Sequence, residues 1–267
     1  VVTAAESHSH LAAVRVWLPQ GAWYDIFSGH RYLGGRVLTM HRDLETLPVL
    51  ARAGTVLPLQ ADPFAAVGTN PHDLVLRVFP GSGSTELVED DGAGAPGAND
   101  RQITAITVET SERADGLTDV RLVIAAPSGP GALTQRGLGI DLVGVMSAEH
   151  ISASLGDSEL TLEGAAAATD EASRTLAPAL RIELGTVDLT GGLVLNAYGV
   201  RRREMDLAAS AFALLDRAEI AYQAKESAWQ AMREGSGLAL VQELNAVELP
   251  GMLRDALVEL AAVHEGN

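Results

Sequence analysis

The chain of 267 residues contains no cysteine. Without thiols it can form neither a disulfide framework nor a thiolate metal site. Proteins that work in a reducing compartment commonly lack disulfides, so we expect a cytoplasmic location. The sequence carries no complete motif for a metal or a cofactor, and none is expected.

Positive charge is scarce too, because 19 Lys and Arg stand against 35 Asp and Glu, a formal net charge of −16. Such a field repels phosphate backbones, which argues against a nucleic acid partner. Long apolar runs are also missing. No stretch approaches the roughly 18 residues typical of a transmembrane helix, so we expect no membrane partner.

Aromatic residues make up only 4% of the chain, and several of them lie close together between Val14 and Leu59. Apolar residues alternate from Val14 to Leu18 and lead into a Pro-Gln-Gly turn, which Trp23 and Tyr24 follow. A second turn comes at Ser28-Gly29. Period-two alternation bounded by Pro and Gly predicts β-hairpins.

The same segment resembles the stretch that follows the catalytic barrel in glycoside hydrolase family 31, the α-glucosidases and α-xylosidases. The matching positions are Leu18, Pro19, Gly21, Trp23, Tyr24, Asp25, Gly34, Gly35, Pro48, Val49, Arg52, Gly54, Pro58 and Leu59. A second match is the acidic turn formed by Glu89, Asp90, Asp91 and Gly92, although Val88 stands where the family usually has Tyr. The resemblance covers residues 1–110 well, and residues 111–200 only by pattern.

The function that the resemblance implies depends on which parts of the family's enzymes this sequence lacks. A retaining glycosidase needs two carboxylates about 5–5.5 Å apart, and in this family both lie on a (β/α)₈ barrel N-terminal to the matching stretch. The chain shows neither the eightfold strand–helix alternation of such a barrel nor the family's nucleophile motif. We therefore expect a non-catalytic accessory region of a larger α-glucosidase or α-xylosidase, with the enzyme's own barrel as its partner.

The expected fold class is mainly β, with two antiparallel β-sandwich domains followed by an α-helical appendix. Residues 1–62 form the proximal sandwich without its first strand, and residues 63–200 form the distal sandwich, where short alternating segments are separated by turn residues. In residues 201–267 an apolar stripe predicts about three helices. Asp206 is the expected N-cap of the first, and Pro250 opens the last.

Several residues have two competing interpretations. The turn from Glu89 to Gly92 carries oxygens that suit Ca²⁺, but its spacing is not that of an EF-hand, and an acidic β-turn is favoured. His8 and His10 have the spacing of metal ligands but lack a third, which favours a polar surface strand. Arg52 is expected to form structural hydrogen bonds near the barrel.

The aromatic cluster of Trp17, Trp23, Tyr24 and Phe27 also has alternatives. Core or barrel-docking roles are favoured because large aromatics usually anchor cores, and a sugar-binding platform is the rival. Two further functions stay open for the whole chain: a carbohydrate-binding sandwich module, and an oligomerisation module acting through the helical stripe.

Overall fold

The computed structural model describes residues 5–62, 64, 70–90, 101–130, 133–162, 165–166 and 176–265. The fold is mainly β with four helices near the C-terminus, which confirms the predicted class. Its strands are β1 (Ala12–Leu18), β2 (Ala22–Asp25), β3 (Arg31–Leu33), β4 (Arg36–Arg42), β5 (Leu50–Arg52), β6 (Val56–Gln60), β7 (Asp73–Val78), β8 (Gly83–Glu89), β9 (Gln102–Glu112), β10 (Thr118–Ile124), β11 (Gln135–Val143), β12 (Val145–Ser147), β13 (His150–Leu155), β14 (Ser158–Leu160), β15 (Ala165–Ala166), β16 (Ala179–Asp188) and β17 (Leu193–Arg202). The α-helices are α1 (Leu207–Arg217), α2 (Tyr222–Glu234), α3 (Gly237–Ala246) and α4 (Gly251–Glu265).

The chain divides into two compact units. The first comprises Val1–Ile26, His30–Leu50 and Glu204–Asn267, and the second Phe27–Gly29 and Ala51–Arg203. The helices therefore share a unit with the N-terminal strands. A compact unit is not by itself a domain that folds alone, so the three domains 1–62, 63–200 and 201–267 stay predictions.

The first unit combines a small β region with the four helices. β1 pairs antiparallel with β4, and β2 with β3. One core cluster joins Leu18, Tyr32 and Met40 of the strands to Val263 of α4. The helices bury a second cluster of their own, in which Leu215, Met232, Leu240 and Leu257 are members. Much of the predicted helical stripe is thus buried inside this unit, although Tyr222 and Leu238 are exposed.

Most helix boundaries follow signals in the sequence. The carboxylate of Asp206 accepts a hydrogen bond from the backbone N–H of Ala209 at 2.8 Å, as an N-cap should. α4 begins at Gly251, directly after Pro250. The predicted number of helices was too low, because the stripe that runs through residue 218 is divided there: Ala218 is extended and ends α1.

The second unit is a β-sandwich. One sheet has the strand order β14-β13-β17-β10-β9-β8, with β12 also paired to β17, and the other has the order β15-β16-β11-β7-β6. Their inward residues share one core, with Ile140 and Ile182 from one sheet and Leu122 and Leu195 from the other. β7 and β11 pair in parallel, which makes the second sheet mixed. Within the described ranges, no helix is both long and apolar enough to cross a bilayer.

Candidate functional site

The most connected polar site of the first unit is a cluster that we call the Glu259 network: Asp25, Tyr32, His41, Arg42 and Glu259. The guanidinium of Arg42 donates to the carboxylate of Asp25 at 2.6 Å and to that of Glu259 at 3.3 Å. Glu259 also accepts from the hydroxyl of Tyr32 at 2.9 Å and from the backbone N–H of His41 at 2.8 Å. One arginine thus joins two carboxylates.

Different elements bring these side chains together. Asp25 ends β2, Tyr32 lies in β3, and His41 and Arg42 end β4, while Glu259 lies on α4. In the described part of the chain, β4 has β1 as its only strand partner. On the side of β4 that does not face β1, the backbone N–H of His41 donates its hydrogen bond to the carboxylate of Glu259.

Burial sets the electrostatics of this network. Desolvation raises the pKa of the Tyr32 hydroxyl, and the nearby Glu259 raises it further. Burial opposes the charge of Arg42, but its interactions with Tyr32, Glu259 and Asp25 outweigh that effect and raise the pKa of the guanidinium. Desolvation also lowers the pKa of His30, although Asp25 opposes that effect.

The charged groups of the network bind one another. Both oxygens of Glu259 already accept hydrogen bonds, and Asp25 is 1% exposed and paired with Arg42. A cavity of about 320 Å³ adjoins the network, and α4 lines it with Val258, Ala262 and Val263. The arrangement attaches α4 to the strands, because it satisfies buried charges that would otherwise be costly.

The aromatic residues of the family motif divide into buried and exposed positions. Tyr24 is buried, and the half-buried Trp23 packs against the core cluster of the strands. The indole N–H of Trp23 donates to the carbonyl of Pro19 at 2.9 Å. Trp17 is 62% exposed, so a core role is wrong for this residue.

Trp17 and Val37 form an exposed apolar strip on the β1–β4 pair. Trp17 lies opposite Val37 in the strand register, and Val37 is 49% exposed. Large apolar side chains that lie together on a surface often mark an interaction site.

Arg52 and Gly54 lie in the second unit. Arg52 is exposed, and its carbonyl accepts from the N–H of Thr55 at 3.0 Å. Gly54 has φ of +87°, and a Cβ there would lie 2.5 Å from the carbonyl carbon of Ser82. Only glycine fits this close approach of two backbone segments. A role of Arg52 toward a barrel stays a prediction.

The acidic turn is only partly described, since Asp91 and Gly92 lie outside the described residues. Glu89 is buried and pairs with Arg136, and its carboxylate also accepts from the amide of Gln102 at 3.1 Å. The carbonyl of Asp90 accepts from Asn70 at 2.8 Å. The part of the chain that is described holds no group of three metal-ligating side chains.

The buried ion pairs of the second unit were not predicted from the sequence. Arg77 donates to Asp141 at 2.8 Å, and Arg181 donates to the same carboxylate at 3.0 Å. This hydrogen bonding raises the pKa of Arg181. The sequence does contain a signal for these pairs, namely a charged residue between two apolar ones within a strand, as in Leu76-Arg77-Val78. Such a pattern indicates a buried charge that needs an oppositely charged partner.

The two histidines near the N-terminus do not form the predicted polar strand. His8 lies in a turn, and His10 has a positive φ of 58°. The ring of His10 lies 3.5 Å from the exposed carboxylate of Glu219. The carbonyl of His8 accepts from the N–H of Glu219 at 2.7 Å, which ties this turn to the segment after α1.

The N-terminal segment that carries the aromatic motif matches the model of a known domain family. Residues 2–57 match the model of the glycosyl hydrolase family 31 C-terminal domain. The resemblance drawn from the sequence is therefore confirmed for the segment that matches.

Curated relatives match the same part of the chain. The alpha-xylosidase of Saccharolobus solfataricus is 38% identical over 86 residues, which cover 29% of this chain and 11% of the relative. The isomaltosyltransferase of Sporosarcina globispora is 30% identical over 87 residues, which cover 30% of this chain and 8% of the relative. The chain thus spans a small fraction of the length of these relatives.

A solved structure extends the likeness beyond this segment. The GH31 dextranase of Flavobacterium johnsoniae, solved in complex with isomaltotriose, matches 71% of this chain and 26% of its own with a TM-score of 0.53. The sequence identity is 17%, so this match supports the fold alone.

Proposed function

We propose that this chain is the non-catalytic C-terminal accessory region of a retaining α-glycosidase of the α-glucosidase or α-xylosidase type, acting in carbohydrate metabolism. The observation that carries the proposal is the match of residues 2–57 to the family 31 C-terminal domain. The buried acids of the Glu259 network fit a supporting role, since both are held by Arg42. The catalytic carboxylates then belong to the barrel.

The exposed apolar strip of Trp17 and Val37 is the proposed contact with that barrel. These side chains lie within the matched residues 2–57, and burying them would remove apolar surface from water. Each buried apolar Å² is worth about 25 cal/mol. Trp17 offers the largest part of that surface.

The test is the coding sequence directly upstream of Val1. We expect it to encode, in frame, a (β/α)₈ barrel that carries the acid and nucleophile carboxylates of the family. A stop codon followed by a start codon directly before Val1 would overturn the proposal, because the region would then have no barrel to support.

The remaining expectations are proposals of smaller scope. Oligomerisation through the helical stripe has less support, because Ala211, Leu215 and Met232 of that stripe are buried in their own unit. A cytoplasmic location rests on the missing cysteines. The net charge of −16 supports the proposal that nucleic acid is not a partner.

A further inference from the structure

We propose that the outer face of the β13-β17-β10-β9 sheet in the second unit binds a neutral oligosaccharide. Its residues are different from those of the exposed apolar strip, and it does not rest on the accessory role proposed above. The proposal rests on a row of polar side chains that lies beside a stacked aromatic pair on this face.

The row follows from the strand register. Glu109 of β9 pairs with Arg121 of β10, Arg121 with Asn196 of β17, and Asn196 with Ser152 of β13. Each of the four has a buried residue directly beside it in its strand and so points away from the core. Strands lie about 4.8 Å apart, so the row is about 14 Å long. It can span more than one pyranose ring.

The polar groups of this row are available to a ligand. Glu109 and Arg121 lie opposite each other, yet within the described residues neither makes an ion pair or a side-chain hydrogen bond, and the amide of Asn196 makes none. The neighbouring Arg113 differs, since its guanidinium lies 3.1 Å from Glu149 and 2.8 Å from Asp115. The row therefore offers both donors and acceptors.

An aromatic pair adjoins the row. Tyr198 lies two residues beyond Asn196 on the same face, and its ring stacks on that of His150 with centroids 6.0 Å apart and an angle of 12°. Tyr198 remains 41% exposed. The C–H faces of sugar rings pack against aromatic side chains, which carry an apolar body and a polar tip.

The balance of charge indicates the class of ligand. One carboxylate and one guanidinium give the row no net charge, while the chain as a whole carries −16. An anionic ligand would be repelled, and a protein partner would meet charged groups at the centre of its contact, where interfaces are depleted of them. A neutral ligand with many hydroxyl groups satisfies both constraints.

The test is affinity electrophoresis of the whole chain in native gels that contain dextran, soluble starch or xyloglucan, with polygalacturonate as the anionic comparison. We expect retardation in at least one neutral gel and none in polygalacturonate. Tyr198→Ala and Arg121→Ala should each weaken the affinity at least tenfold. Both side chains are exposed, and an unchanged thermal unfolding midpoint would confirm that the variants fold.

Trp17→Ala is the matched control, because it removes an exposed aromatic from the first unit and should leave the retardation unchanged. The proposal is overturned by no retardation in any neutral gel, by Tyr198→Ala and Arg121→Ala binding as the unaltered chain does, or by loss of binding in Trp17→Ala. Such a failure leaves the accessory role untouched, since that role is tested by the upstream coding sequence.

Discussion

The two units place their buried charges at very different distances along the chain. In the first unit, Glu259 bonds to Tyr32 and Arg42 across 227 and 217 positions. In the second, Asp141 pairs with Arg77 and Arg181 across 64 and 40 positions. The second unit therefore closes its network within one sandwich, whereas the first depends on the C-terminal helix.

The apolar cores show a similar contrast. Val263 of α4 is buried with Leu18, Tyr32 and Met40, so the strands of the first unit are incomplete without the tail. The described core cluster of the second unit runs from Val56 to Val200. The helical appendix is thus an integral part of the first unit.

The largest expected effect comes from deleting residues 204–267. The deletion removes α4 and exposes the apolar cluster around Met40, so the first unit should lose its native structure while the second keeps it. Hydrogen exchange should show lost protection in β1 and β4 and retained protection in β11 and β16. Unchanged protection of β1 and β4 would contradict the dependence on the tail.

Arg136→Met should break the second unit locally. The change leaves the carboxylate of Glu89 buried without its cation, which typically costs about 3–5 kcal/mol. Denaturant unfolding of the second unit measures the cost. Adding Glu89→Leu should recover most of it, since a buried ion pair can often be replaced by apolar residues; a single-variant loss below about 1 kcal/mol would contradict the assignment.

Glu259→Gln should weaken the first unit by about 2–3 kcal/mol, because it removes the charge that Arg42, Tyr32 and His41 share. Urea unfolding followed by tryptophan fluorescence reports on this unit through Trp23. The matched control is Glu226→Gln on the exposed face of α2, which should change stability by less than about 0.5 kcal/mol. Equal effects of the two variants would speak against the network.

A smaller effect is expected at high pH. The pKa of Tyr32 is raised above its ordinary value of 10.0 by burial and by Glu259. The stability that the neutral hydroxyl contributes is complete below that ordinary value and is lost as the pH rises above it. The urea midpoint of the first unit should therefore fall from about pH 10 upward. In Tyr32→Phe the urea midpoint should fall less steeply with pH. The same pH dependence in the variant and in the unaltered chain would contradict this role of Tyr32.

Local features were predictable from the sequence because their causes are local. Alternation from Val14 to Leu18 falls within β1, and the Asp206 cap and the Pro250 start both appear as expected. The break after α1 was missed because no Gly or Pro marks Ala218. The parallel pairing of β7 with β11 was missed because alternation alone does not reveal strand direction.

The candidate site was predictable only in part. The motif singles out Trp23, Tyr24 and Asp25 because they are consecutive in the sequence, and their structural role stays a prediction. The network around Asp25 was not predicted: Arg42 is 17 positions away, and Glu259, which Arg42 also binds, lies outside the residues that the resemblance covers. Contacts of this kind arise from tertiary packing, which leaves no periodic signal in the sequence.

A hydrolysis assay on the purified chain is the most direct test of the proposed non-catalytic role. Aryl α-xylosides and α-glucosides are incubated with increasing protein, and the released aglycone is measured. We expect no release above the protein-free rate, since Asp25 and Glu259 are both held by Arg42. Release that rises in proportion to protein and is lost in Asp25→Asn or Glu259→Gln would contradict it.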